Sequence, residues 1–84
     1  METNLKLRKI IFKIIENQIR NNDPPETLKA FNRLKTQGYN EFEAKQLIGQ
    51  CVAVQIYNMM KYKKPYDKER YIRNLNNLPE EPFE

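Results

Sequence analysis

Few side chains in this chain could do chemistry. There is no histidine and no serine, and there is a single cysteine, Cys51. A Ser-His-Asp arrangement and a Cys-His dyad are therefore both impossible. One cysteine without histidine leaves no ordinary zinc site, and the Glu-x-x-His pairs of di-iron bundles are missing. The only glycines, Gly38 and Gly49, rule out a phosphate loop of the Gly-x-x-x-x-Gly-Lys type. Cys51 lies in an apolar stretch and reads as a small buried hydrophobe, whose thiol burial would make less acidic. Glu26, Glu41 and Glu43 could pose as acid/base pairs, but each stands at an expected helix start, where capping and the helix dipole account for it. These absences point away from an enzyme and predict no catalytic, cofactor or metal residue.

What remains is surface. Basic and acidic side chains number five and two in residues 1–22, seven and four in 23–64, and three and five in 65–84, within a net charge of +4. Two basic groups could meet a polyanion: Lys6, Lys9, Lys13 and Arg20 on the first helix, and Lys61, Lys63 and Lys64 at the end of the third. Tyrosines interleave with the second group, as at nucleic-acid surfaces. Asp67, Glu69 and the acidic tail oppose that reading, so any such binding is expected to be weak.

The first helix should run from about Leu5 to Arg20. Its apolar side chains cover an arc of about 220°. That is wide for a surface helix, so it should lie between two neighbours or give a face to another chain. Two flanks are available for self-association: Leu7, Ile10 and Ile14, or Phe12, Ile15 and Ile19. One should face the core and the other a partner, most simply a second copy in a two-fold dimer. The alternative is that helices three and four, or the Phe83 tail, cover both flanks within one chain.

Asn21 and Asn22 break the pattern. Asp23-Pro24-Pro25-Glu26 then reads as a helix start, with Asp23 as N-cap, Pro24 at the first position and Glu26 placed for a capping box. The second helix carries Leu28, Phe31 and Leu34 on one face, with Ala30 to the side. It should stop at Gly38 in a Schellman ending, with Tyr39 packed back on Leu34. Asn40 and Glu43 form a second capping box, so the third helix follows at once, about Glu41 to Tyr62. Apolar nearly all round from Leu47 to Tyr57, it should be the central helix. Gly49 within it implies a close crossing by another helix. Pro65 forbids continuation, and Asp67 caps a fourth helix with Tyr71, Ile72, Leu75 and Leu78 as its stripe. The glycine turn has the length of a DNA-binding helix-turn-helix, yet the would-be recognition helix opens on Glu41 and Glu43, the wrong charge for a phosphate-lined groove.

The expected fold is all-α: a compact three-to-four-helix bundle around a long third helix, with residues 1–78 as one domain and 79–84 as an acidic, extended tail. No stretch approaches the roughly 20 apolar residues of a membrane span, and no signal-peptide pattern opens the chain. With a lone cysteine, the chain reads as cytoplasmic. Asp23-Pro24-Pro25-Glu26, Leu34…Gly38-Tyr39…Glu43-Ala44…Leu47-Ile48, Pro65-Tyr66-Asp67-x-Glu69-Arg70-Tyr71 and Leu78-Pro79 together resemble a set of small bacterial helical proteins of uncharacterised function, over roughly residues 22–79. The resemblance implies a fold and a bacterial source, and carries no site residue. The functional expectation is a non-enzymatic protein-interaction or oligomerising module. The alternative is a nucleic-acid-associated accessory protein using a basic helix face.

Overall fold

A computed structural model describes the backbone of residues 2–82 and the side chains of residues 6–82. Four helices follow one another: α1 (Glu2–Asn21), α2 (Pro25–Thr36), α3 (Glu41–Tyr62) and α4 (Lys68–Asn77). No strand occurs among the described residues. The radius of gyration is 12.3 Å, close to the ~12 Å expected for a compact chain of this length. The all-α bundle expected from periodicity is the observed fold.

The helix boundaries show how local chemistry sets the chain's course. α1 begins at Glu2, earlier than the apolar period alone predicts. It ends in a Schellman motif, with the Asp23 amide donating to Gln18 O at 3.0 Å and the Asn22 amide to Ile19 O at 3.2 Å. Asn22 takes the left-handed conformation, φ 51°, which asparagine tolerates better than most side chains. Asp23 therefore closes α1 with its backbone and does not cap α2. Pro24 occupies the N-cap position of α2, with no side-chain cap bond and with a cis Asp23–Pro24 peptide. Pro25 is then the first helical residue and Glu26 the second, so the expected Asp23 cap and Glu26 capping box do not form.

The next boundary is as expected. The Tyr39 amide donates to Leu34 O and the Gly38 amide to Lys35 O, both at 3.1 Å, with Gly38 at φ +107°. Asn40 accepts from the Glu43 amide at 2.8 Å while Glu43 accepts from the Asn40 amide at 3.0 Å, a complete capping box. Asp67 caps α4 by accepting from the Arg70 amide, and the Tyr66 and Tyr71 rings pack at 6.0 Å across that start.

α3 packs against the other three helices, and α2 does the same. The reason α2 gets so close lies in its buried face. Thr27, Ala30 and Leu34 are buried, while Leu28 and Phe31 are half-buried. The face is rotated from the one expected, because small Thr27 and Ala30 allow closer approach than the larger side chains would. α1 crosses α3 at Gly49, where an added Cβ would lie 3.2 Å from Ile11 Cγ2 and 3.8 Å from Ile15 Cδ1.

Two polar ties complete the core. Gln18 Oε1 on α1 accepts from both Thr27 Oγ1 (2.7 Å) and the Tyr71 hydroxyl (2.8 Å), joining three helices. Arg33 Nη2 donates to Leu75 O and Leu78 O at 3.0 and 2.9 Å, so a side chain of α2 caps the end of α4. Beyond α4, the Glu80 amide closes a turn on Asn77 O, and Glu81 and Pro82 have no regular structure. The expected extended tail thus begins with a turn, and Phe83 and Glu84 lie outside the described residues.

Candidate functional site

Three surface features bear on function. The first is an apolar cleft beside α1. The Phe12, Ile15 and Ile19 flank turns inward: Ile15 is fully buried, and Phe12 and Ile19 pack on the core. The other flank turns outward, with Ile14 half-buried, Leu7 39% exposed and Ile10 55% exposed. Ile14 opens into a cleft of about 250 Å³ with Val52, Ile56, Met59 and the Tyr66 and Tyr71 rings. Met59 and Met60, one turn before the end of α3, are exposed. The wide apolar arc of α1 is thus covered on two sides, by α2 and α3, and its N-terminal half keeps an uncovered apolar edge.

The second feature is the basic surface. Lys6, Lys9, Lys13 and Arg20 are all exposed, and none has an ion-pair partner among the described residues. Arg20 donates to Asn17 Oδ1 within its own helix. At the end of α3, the Lys61 ammonium lies 5.2 and 5.3 Å from the Tyr57 and Tyr62 ring centroids, and Lys64 lies 5.8 Å from Tyr62. A hydrogen bond with Tyr57 and the proximity of both phenols raise the Lys61 pKa above its ordinary value. Lys63 ends α3 in the left-handed conformation, φ 52°. These rings are therefore already partnered by lysines, which leaves the cations in place for an anion.

The third feature was not anticipated from the sequence. Ala44, Ile48, Cys51, Gln55 and Asn58 recur at alternating four- and three-residue steps along the buried face of α3. That face should be apolar throughout, yet its last two positions carry carboxamides, only 5% and 7% exposed. Gln55 Oε1 accepts from the Asp67 amide at 3.3 Å. Gln55 Nε2, Asn58 Nδ2 and Asn58 Oδ1 have no hydrogen-bond partner among the described residues. An unpaired buried polar group costs about 1–3 kcal/mol. Both residues line a notch of about 330 Å³ between the end of α3 and the start of α4, rimmed by Lys64, Pro65, Tyr66 and Lys68. The period that marks a core face, interrupted by two amides, was the available signal.

Cys51 is buried at the centre of the core, and desolvation pushes its thiol up to about 12, far from the reactive thiolate range. Burial likewise raises the Tyr71 phenol. Among the described residues no group of three or more His, Cys, Asp or Glu side chains is placed to hold a metal ion. No described helix is long and apolar enough to cross a membrane. Comparison with protein-family models, curated proteins and solved structures gives no match.

Proposed function

We propose that this protein is a non-enzymatic helical interaction module that self-associates as a two-fold dimer through the outward flank of α1. The observation that carries this reading is the uncovered pair Leu7 and Ile10, on the flank that continues through Ile14 into the apolar cleft. A contiguous apolar edge on so short a chain is where a second copy would add most to buried area. The lone Cys51 and its buried, inert thiol support a cytoplasmic setting for such a module. Light scattering at micromolar concentration tests the reading. The expected result is a dimer that Ile10→Glu converts to a folded monomer of 10.2 kDa. A wild-type monomer mass under the same conditions overturns it.

A second reading rests on the unpaired Lys6, Lys9 and Lys13 and on the Lys61–Lys64 array: weak association with nucleic acid. Its signature is binding at low salt that fades at physiological salt, through counterion release. No binding at low salt removes this reading and leaves the first untouched.

A further inference from the structure

We infer that the end of α3 docks on an anionic lipid surface, with Met60 and the Tyr57 and Tyr62 rings entering the headgroup layer and Lys61, Lys63 and Lys64 meeting the phosphates. These residues are separate from the α1 edge, so the inference holds whether or not two copies pair. Met59, Met60, Lys61 and Tyr62 close the helix, and successive side chains point about 100° apart round its axis. All four are exposed, and no residue from 59 to 69 is buried. The last turn of α3 therefore has no side packed into the bundle. Such an end should be polar, yet Met60 is 75% and Tyr62 50% exposed, and adjoining apolar exposure of this kind marks a contact surface. The helix dipole accounts for a lysine here and leaves the two methionines unexplained.

Charge decides what this tip meets. From Ala44 to Tyr66 the sequence has four lysines and no carboxylate. Lys61, Lys63 and Lys64 have no ion-pair partner among the described residues. Of the carboxylates that follow, Asp67 caps α4 and pairs with Arg70, and Glu69 lines the α3–α4 notch. Asp23, Glu26 and Asp67 act on the Tyr66 phenol, so the Tyr66 side stays in water. A nucleic acid could use the same lysines, and the apolar groups separate the two partners. Bases stack on open aromatic faces, but Lys61 lies over Tyr57 and Tyr62, and Lys64 over Tyr62. An exposed methionine adds nothing to that contact. At a lipid interface the same groups fit together: Met60 reaches the acyl boundary, the phenols stay at headgroup level, and the lysine stems run back to the phosphates. No described helix is long and apolar enough to cross a membrane, so the contact is with one leaflet.

Flotation of the full chain with vesicles tests the inference, comparing phosphatidylcholine alone with an equal mixture of phosphatidylcholine and phosphatidylglycerol. The expected result is binding to the mixed vesicles and binding weaker by about tenfold or more to the neutral ones. Lys61→Gln, Lys63→Gln and Lys64→Gln combined should weaken binding about a hundredfold, at about fivefold per lysine. Met60→Ser changes an exposed side chain and no charge, and should weaken binding about fivefold. A purely electrostatic contact would not respond to it. Equal binding to neutral vesicles, unchanged binding by Met60→Ser, no binding at millimolar lipid, or capture of a single-stranded oligonucleotide in place of vesicles would overturn the inference and leave the α1 dimer untouched.

Discussion

Asp23 and Asn40 both stand before a helix with a glutamate three residues on, and only Asn40 reaches the helix amides. Asn40→Ala should cost about 1 kcal/mol in chemical denaturation, whereas Asp23→Ala should stay within about 0.5 kcal/mol. The two sites look alike in sequence because a side-chain pattern does not reveal where the preceding helix ends. The Asp23 amide is taken by Gln18 O, which sets the chain's exit from α1 and leaves Pro24 to begin α2. Arg33 makes the same point from the other side. Nothing in its neighbours marks it, yet it holds two carbonyls at the end of a helix more than forty residues away. Replacing it with methionine keeps the stem and leaves both carbonyls without their donor, an expected loss of about 2 kcal/mol in denaturation midpoints converted to free energy.

At the scale of the element, α3 was the most legible segment. Its capping box, its length and the close crossing at Gly49 follow from Asn40, Glu43, the apolar period and one glycine in the wrong place for a helix. Two effects oppose each other at Gly49. Alanine gains about 1 kcal/mol of helix propensity, while its Cβ must displace Ile11 Cγ2 from 3.2 Å. Gly49→Ala should therefore shift stability by less than about 1 kcal/mol, and Gly49→Val should destabilise by about 2 kcal/mol through overpacking. Thermal melts of the pair decide it: a valine variant as stable as the wild type would remove α1 from that crossing. α2 was legible in its end and not in its face, because Thr27 and Ala30 look unimportant until a neighbouring helix uses their smallness. The α3–α4 notch was hidden for a similar reason. Gln55 and Asn58 carry no mark of burial in their neighbours, and only the packed bundle encloses them.

For the molecule as a whole, the absence of histidine leaves no side chain of ordinary pKa to titrate between pH 5 and 8. Cys51 and Tyr71 both have folded pKa values raised above 9.0 and 10.0 by burial. A raised value means the folded state holds its proton longer, so this contribution is intact below about pH 9 and is lost as pH climbs. Melting temperature should be flat from pH 6 to 8 and fall from about pH 9 upward, and Cys51→Ala should delay the start of that fall. The position of Cys51, fully enclosed where the helices meet, also makes the chain its own clock. A thiol reagent cannot reach it until the bundle opens, and the chain has no second thiol to blur the signal. The rate of labelling, set against that of a free thiol, then gives the open fraction directly. With a stability of about 5 kcal/mol, roughly one molecule in 5,000 is open at any instant, and pairing of two copies would slow that clock in proportion to how tightly they hold.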